Sequence, residues 1–207
     1  MRKKTYTDYS QYIEHQSKKN DLNAVIDFHT KNWDKITKNF EIRFKRLNFV
    51  KDTENKSDKK TLCVGARAGQ EVQGLINCGY QSIGIDVNPM KGYEHLVKKG
   101  DAHHTNFEDN TFDVIYTNVI DHIYNLPLFI KECNRILKND GYMIFDFCVT
   151  GEGFGEYDIV SLSQASELTD MFPSSWSIVL NDEEKWLRKN IEKSLMYNVV
   201  IQKNENK

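Results

Sequence analysis

The 207-residue chain has the size of one domain with room for a small accessory segment. Its apolar residues, 39% of the total, are enough for a buried core, and no apolar run is long enough to cross a bilayer. The basic start, MRKKTYTDYS, lacks the apolar stretch of a secretory signal, and the four cysteines form no CxxC pair. These features predict a cytoplasmic protein with no membrane partner.

Charge is distributed unevenly along the chain. Residues 1–60 carry a net charge of +6, and residues 61–207 carry −8. A basic segment can meet an anionic partner, but a solvated helix face in a lysine-rich protein has the same composition. We favour the second interpretation, so a nucleic-acid partner is disfavoured.

Residues 1–58 predict a helical segment that packs on, or caps, a domain at 59–207. Between residues 21 and 47 apolar side chains recur at intervals of three, four and seven, which predicts one amphipathic helix. The apolar positions are Leu22, Val25, Ile26, Trp33, Ile36, Phe40, Phe44 and Leu47. A shorter helix is expected around residues 9–13, and the polar run KDTENKSDKK at 51–60 predicts an exposed linker.

From residue 61 onward, short apolar runs alternate with amphipathic ones. Strands are expected at 61–65, 82–87, 113–120 and 142–149. Helices are expected at about 70–79 and 126–138. Strands that alternate with helices form parallel sheets with right-handed crossovers. The predicted fold class is therefore α/β, with a Rossmann-like doubly wound sheet that has helices on both faces.

The last third of the chain has a different pattern. Residues 158–172 predict a helix, and two strands are expected at 175–182 and 192–203 with a short connection between them. A short connection cannot be a crossover, so these two strands should pair antiparallel. The sheet is therefore expected to be mixed, mostly parallel with an antiparallel strand near one edge.

The stretch CVGARAGQEV at 63–72 lies between a predicted strand and a predicted helix. Gly65 and Gly69 would let a ligand approach the backbone, and a helix start offers free N–H groups. The GKS or GKT of a phosphate loop is missing, which argues against nucleoside triphosphates. Asp86 ends the next strand, where a carboxylate can accept both hydroxyls of a ribose. Loop and acid together predict a nucleoside site for either a nicotinamide dinucleotide or S-adenosylmethionine.

Two further features favour the second cofactor. Asp101 ends another short strand, where its side chain could accept a hydrogen bond from the adenine amine. A dinucleotide fold would continue with parallel units, whereas this chain ends in a predicted antiparallel pair.

The combination resembles the class I S-adenosylmethionine-dependent methyltransferases, in particular the type 11 methyltransferase-domain group. VGARAG at 64–69 resembles the glycine motif of that family, GIDVNP at 84–89 its ribose motif and GDAHH at 100–104 its adenine-side motif. FDVIYTNVIDHI at 112–123 resembles the fourth-strand motif, and ILKNDGYMIFD at 136–146 the turn into the fifth strand. The resemblance covers residues 60–150 by motif and extends to about 203 by topology.

The resemblance implies S-adenosylmethionine as cofactor and methyl transfer as activity. The residues it assigns to cofactor binding are Gly65, Ala66, Arg67, Gly69, Glu71, Asp86, Val87, Asp101, Ala102 and Asn118. The family usually has an acid where this chain has Cys63, and its usual third glycine is Glu71 here. Other groups must therefore hold the amino-acid end of the cofactor, and Gln70 and Glu71 are the candidates.

The acceptor should approach over the ends of the fourth and fifth strands. His122 is the candidate general base because imidazole titrates near neutral pH, and Asp121 beside it is the alternative. Tyr6, Tyr9 and Tyr12 are candidates to cover the site. The histidines near Asp101 fit no standard metal-ligand spacing, so no metal is expected.

The sequence leaves the acceptor open. A small molecule or carbohydrate, methylated on oxygen or nitrogen, is the first hypothesis. A methyltransferase for RNA or protein is the second, which the basic N-terminal segment supports and the lack of an Asn/Asp-Pro-Pro-aromatic motif opposes. A non-catalytic protein that binds S-adenosylmethionine, and a nicotinamide oxidoreductase, are the remaining alternatives.

Overall fold

A computed structural model describes residues 1–20, 22–47, 55–150, 155–184 and 194–204. The strands are β1 (Arg2–Lys3), β2 (Lys60–Val64), β3 (Gln81–Asp86), β4 (Val97–Lys99), β5 (Phe112–Thr117), β6 (Leu137–Thr150), β7 (Val160–Ser161), β8 (Ser177–Glu184) and β9 (Ser194–Gln202). The helices are α1 (Tyr9–Asn20), α2 (Asn23–Lys31), α3 (Trp33–Leu47), α4 (Gln70–Asn77), α5 (Leu126–Ile136) and α6 (Ser166–Thr169), with 3-10 turns at Lys56–Asp58 and Ile120–His122. No helix in these ranges is long and apolar enough to cross a membrane.

Seven strands form one sheet in the order β4-β3-β2-β5-β6-β9-β8. The pairs from β4 to β6 are parallel, and β9 runs antiparallel to both of its neighbours, one position from the edge. The central strand β2 is buried along four of its five residues, which the apolar run TLCV provides. The predicted fold class, a mostly parallel doubly wound sheet with an antiparallel strand near one edge, is confirmed.

The carboxyl ends of β2, β3 and β5 meet at one edge of the sheet because these strands are parallel. The chain between β3 and β4, residues 87–96, forms turns without a helix. The edge beside β3 is consequently open to elements from elsewhere in the chain, and α1 occupies this position, since Asn88 Nδ2 donates to Ser17 O at 2.9 Å.

The N-terminal segment packs on the core chiefly through α3, which lies against α4. A Cβ atom on Gly74 would lie 2.9 Å from the Cβ of Phe40, so the two helices approach closely there. Phe44 is 2% exposed and meets the ring of Tyr116 edge-on at 5.1 Å. The division of the chain at residues 58 and 59 into segment and domain stays a prediction.

The single helix predicted over residues 21–47 is wrong, because the chain breaks between α2 and α3 at Asn32. The side-chain amide of Asn32 donates to Phe28 O at 2.9 Å and ends the first helix locally. The predicted stripe is also only half buried, since Leu22 is 45% and Ile26 38% exposed. The shorter helix expected at 9–13 is the twelve-residue α1.

The helix predicted over residues 158–172 is also wrong in its extent. Val160–Ser161 instead forms a strand that pairs antiparallel with Arg2–Lys3, and the helix is limited to α6. Pairing with the distant N-terminus overrides the local helical pattern there. Part of the expected linker, residues 51–54, lies outside the described residues. The same holds for GEGF at 151–154, which follows β6.

Candidate active site

A cleft lies at the carboxyl ends of β2, β3 and β5, and α1 covers it. It encloses about 570 Å³ of empty space when its open mouth is included. Its lining residues are Tyr12, Gln16, Lys19, Val64, Gly65, Arg67, Ile85, Asp86, Val87, Gly100, Asp101, Ala102, His103, Val119, His122 and Ile123. The parallel strands thus bring six of the ten predicted cofactor residues to one place: Gly65, Arg67, Asp86, Val87, Asp101 and Ala102.

The glycine loop turns sharply between β2 and α4. Gly65 has a φ of 76° and Gly69 a φ of 86°, conformations that favour glycine. A Cβ atom on Gly65 would lie 2.2 Å from Cγ2 of Val119. The loop is therefore packed tightly against the residue that follows β5, and glycine at position 65 is required by the fold itself.

Asp86 ends β3 with its carboxylate held by backbone groups. Oδ2 accepts from the N–H of Arg67 at 3.0 Å, and Oδ1 accepts from the N–H of Asn88 at 2.8 Å. Each carboxylate oxygen has further lone-pair capacity, so the fixed group can still accept hydroxyl donors from the cleft. This arrangement suits the recognition of a vicinal diol.

Asp101 is engaged by the segment that covers the cleft. Its Oδ2 accepts from the hydroxyl of Tyr9 at 2.7 Å, and its Oδ1 faces His103 Nδ1 at 2.8 Å. Because His103 Nε2 accepts from the N–H of Asn125, Nδ1 carries the ring proton. Burial raises the pKa of Asp101, but the donors from His103 and Tyr9 outweigh burial and lower it to about 2. Asp101 is thus an ionised acceptor at neutral pH, and its contact with an adenine stays a prediction.

Arg67 has a φ of 44°, and its side chain turns into the cleft. Its Nη1 donates to His29 Nε2 at 3.0 Å, which ties the glycine loop to α2. His29 Nδ1 in turn faces the side-chain amide of the buried Gln70. Burial lowers the pKa of both Arg67 and His29.

Four of the predicted cofactor residues lie outside the cleft lining: Ala66, Gly69, Glu71 and Asn118. Ala66 is 1% exposed, and a Cβ atom on Gly69 would meet Leu96, so both support the loop from behind. Asn118 follows β5 and is exposed, and its neighbour Val119 reaches the cleft instead. Their contact with cofactor stays a prediction.

Glu71 is buried in the first turn of α4, with 5% exposure. Burial raises the pKa of its carboxyl to about 8, with Arg67 opposing that shift. At neutral pH the side chain is therefore mostly a neutral acid.

His122 lies in the cleft lining with both ring nitrogens in contact. Nδ1 lies 2.9 Å from the carbonyl oxygen of Tyr157, and Nε2 lies 2.7 Å from Nζ of Lys19. The carbonyl can only accept, so Nδ1 carries the proton and Nε2 accepts from Lys19. Burial and the charge of Arg67 lower the pKa of Lys19.

Two carboxylates flank this histidine. Asp121 Oδ1 lies 3.8 Å from His122 Nε2, and Asp158 Oδ1 lies 3.7 Å from His122 Nδ1. Asp121 Oδ1 is buried without a hydrogen-bond partner among the described residues, and burial raises the pKa of this carboxyl. The three side chains are close enough to hold a metal ion, but Lys19 already occupies the Nε2 lone pair.

Gln16 and Lys19 were not anticipated from the sequence as site residues. They lie with Tyr9 and Tyr12 on one face of α1, at spacings of three and four residues. Tyr12 donates to His122 O at 3.1 Å and Gln16 to Tyr157 O at 2.8 Å. This polar spacing is the one signal in the sequence that could have identified the face.

The cleft fits S-adenosylmethionine, the cofactor that the resemblance implies. Asp86 presents a fixed carboxylate for a ribose, and the side chains of Ile85, Val87 and Ala102 give an apolar surface for a base. These residues would hold the nucleoside part of the cofactor.

Comparisons with known proteins identify the family of the chain. The family model described as "Methyltransferase domain" matches residues 62–145. An uncharacterised protein of Methanocaldococcus jannaschii is 30% identical over 156 residues, which cover 67% of this chain and 69% of the relative.

Solved methyltransferases share the fold at low sequence identity. The 1,6-didemethyltoxoflavin-N1-methyltransferase of Burkholderia thailandensis, solved with 1,6-didemethyltoxoflavin and S-adenosylhomocysteine bound, superposes with a TM-score of 0.72 at 11% identity, covering 98% of this chain and 93% of that one. A SAM-dependent methyltransferase of Methanosarcina mazei gives 0.58 at 17% identity, covering 77% and 97%. The chain belongs to the class I S-adenosylmethionine-dependent methyltransferases, and S-adenosylmethionine is its cofactor.

Proposed function

We propose that the protein methylates an oxygen or nitrogen atom of a small molecule, with carbohydrates among the candidate acceptors. The observation that carries the proposal is the position of His122. Its Nε2 faces the same cleft as Asp86, and Nδ1 is fixed by the Tyr157 carbonyl. One imidazole nitrogen therefore lies in the cleft that we propose for the cofactor, where it contacts Lys19.

S-adenosylmethionine, when bound, supplies a methyl group on a sulfonium leaving group. The chain itself binds and orients the cofactor and the acceptor, and it excludes water from them. We propose that Asp86 holds the ribose, that Asp101 and Ala102 with Val87 hold the adenine, and that Gly65 and Arg67 line the remaining part. Tyr12 of α1 is buried and lines the same cleft, and we propose that it helps to exclude water from it.

For a hydroxyl acceptor, we propose that His122 Nε2 takes the proton as the oxygen is methylated. Lys19 must first leave Nε2, since a single lone pair is available there. Asp121 is the alternative base, because its buried Oδ1 has no partner among the described residues and the pKa of the carboxyl is raised. An amine acceptor that binds uncharged would need neither group.

A small acceptor is supported by the cover over the cleft. The side chains of Tyr12, Gln16 and Lys19 reach from α1 into the cleft, which leaves little room for a polymer to enter. Structures with the same fold include enzymes for small acceptors, such as the 1,6-didemethyltoxoflavin-N1-methyltransferase.

The test is a transfer assay with methyl-labelled S-adenosylmethionine. A cell extract is split by ultrafiltration into a small-molecule filtrate and a macromolecular retentate, and each is incubated with the full chain. Label should enter the filtrate and resist nuclease and protease. Asp86→Ala is the matched control, because it should weaken cofactor binding and lower transfer accordingly.

Two outcomes would contradict the proposal. Label in the retentate that ribonuclease or protease removes would favour an RNA or protein methyltransferase. Tight binding of S-adenosylhomocysteine in calorimetry, with no transfer to either fraction, would favour a non-catalytic binding protein.

A further inference from the structure

Arg67 occupies a backbone conformation that glycine would adopt more easily. Its φ is 44°, between two loop glycines that also have positive φ. Side chains with a Cβ atom are strained in this region, and such strain persists where the surroundings over-determine it. An arginine at this position therefore suggests that the side chain itself has a role.

The cleft holds two buried cations. Arg67 and Lys19 both line it. Burial lowers the pKa of both side chains, and the charge of Arg67 lowers the pKa of Lys19 further. Their close partners are the imidazoles of His29 and His122. No carboxylate among the described residues forms an ion pair with either cation, although the charge of Asp86 acts on both at longer range and raises their pKa values against burial. Buried like charges in one cleft favour a ligand that brings a negative group.

We propose that the Arg67 guanidinium anchors the carboxylate of the methionyl end of the cofactor. The inference rests on S-adenosylmethionine being the ligand of this cleft. The backbone N–H of Arg67 donates to Asp86, the ribose candidate, so one residue links the ribose position to the amino-acid end. A guanidinium fork matches a carboxylate with two parallel hydrogen bonds.

Arg67 is the better anchor of the two cations. His29 Nε2 accepts from its Nη1 and leaves the other guanidinium N–H groups for a ligand. Lys19 lies instead against His122, on the acceptor side of the cleft. This role would also compensate for Cys63, which stands where the family usually has an acid. The arginine would hold the amino-acid end of the cofactor through the carboxylate of the cofactor.

The test compares two ligands by calorimetry on the full chain. One is S-adenosylhomocysteine, and the other is S-adenosyl-3-thiopropylamine, which is the same molecule without the carboxylate. Wild type should bind the first about tenfold more tightly or better, the usual effect of a hydrogen bond to a charged group. Arg67→Gly should reduce this ratio to about one and leave the affinity for the second ligand within about threefold.

Arg67→Gly is chosen because glycine suits the φ of this position, so the loop should keep its conformation. Arg67→Gln, with thermal unfolding as a folding check, gives a second reading. Lys19→Met and the exposed Lys18→Gln are the matched controls, and both should keep the ratio. Asp86→Ala should lower the affinity for both ligands by the same factor.

Three outcomes would overturn the proposal. A wild-type ratio near one means that no cation anchors the carboxylate, although the nucleoside site stands. Loss of the ratio in Lys19→Met but not in Arg67→Gly assigns the anchor to Lys19. Failure of wild type to bind either ligand would overturn the cofactor assignment together with the anchor.

Discussion

The Nζ of Lys19 lies 2.7 Å from the Nε2 of His122, and the two side chains meet inside the cleft. Because Nδ1 of the same ring donates to the carbonyl of Tyr157, Nε2 is the nitrogen that remains for proton transfer. An acceptor hydroxyl that approaches Nε2 competes with Lys19 for one lone pair. The helix α1 thus controls access to the candidate base as well as covering the cleft.

Replacing His122 by alanine should lower kcat for a hydroxyl acceptor by about 10²–10⁴, the usual contribution of a general base. The Kd for S-adenosylhomocysteine should change little, because the base acts on the acceptor. Lys19→Met removes only the competitor, so its kcat should stay within about tenfold of wild type. An equal loss in both variants would instead make Lys19, whose pKa burial lowers, the proton acceptor.

Tyr9→Phe should weaken the docking of α1 on Asp101. The carboxylate accepts from His103 and from the Tyr9 hydroxyl, and these donors together lower its pKa from 3.8 to about 2. A carboxyl group whose pKa falls on folding stabilises the folded protein at any pH above its pKa in the unfolded chain. This contribution is lost as the pH falls from about 4 to about 2. Tyr9→Phe should therefore cost about 1 kcal/mol near pH 7, after allowance for the half-exposed site, and almost nothing at pH 2.

The check is urea unfolding of wild type, Tyr9→Phe, Asp101→Asn and the double variant. The two changes should be non-additive, since they remove the same hydrogen bond. Additive costs at pH 7 would show that the hydroxyl and the carboxylate do not interact.

Glu71→Gln should flatten the dependence of stability on pH. The carboxyl has an ordinary pKa of 4.5 and, when buried, a pKa of about 8. The unfolded chain therefore releases this proton first, and the free energy of unfolding falls as the pH rises from about 4.5 to about 8. The full loss is about 3–5 kcal/mol, since one pKa unit corresponds to about 1.4 kcal/mol. Glutamine cannot ionise, so the variant should match wild type at pH 5 and exceed it at pH 9.

The measurement is chemical unfolding of both proteins at pH 5, 7 and 9. Parallel profiles would mean that Glu71 is ionised or solvated in the folded state. A large deficit of the variant at pH 5 would show that the acid proton makes a hydrogen bond that an amide cannot replace.

The fold was predictable because its signals are local. The apolar run TLCV predicts β2, and the glycines after it predict the turn. Asp86 lies at the end of the next strand, after one crossover helix. The short connection between the last two strands gives the antiparallel β9. Each inference needed only a window of residues and the handedness of parallel crossovers.

The rest depends on contacts between distant segments. His122 and Lys19 are 103 residues apart, so no local pattern shows that one engages the other. The contact between Val119 and Gly65 is likewise not predictable from a local pattern, although it explains why no larger residue can replace that glycine. The stripe through Leu22 and Ile26 has helical periodicity, yet both side chains are exposed and α2 buries none of its residues. Periodicity indicates a helix without indicating what covers its face.

Phe44→Ala should destabilise the protein by about 3–5 kcal/mol, because Phe44 is 2% exposed and packs against Tyr116 in the core. The matched control is Ile42→Ala, two positions earlier on α3 with 56% exposure, which should cost less than about 0.5 kcal/mol. Both are measured by urea unfolding, with an unchanged m-value as the condition for comparing them. A large cost confined to Phe44 shows that α3 is part of the core of the methyltransferase domain. If both variants keep wild-type stability, the helix unfolds independently of the sheet, and residues 1–47 act as a separate arm.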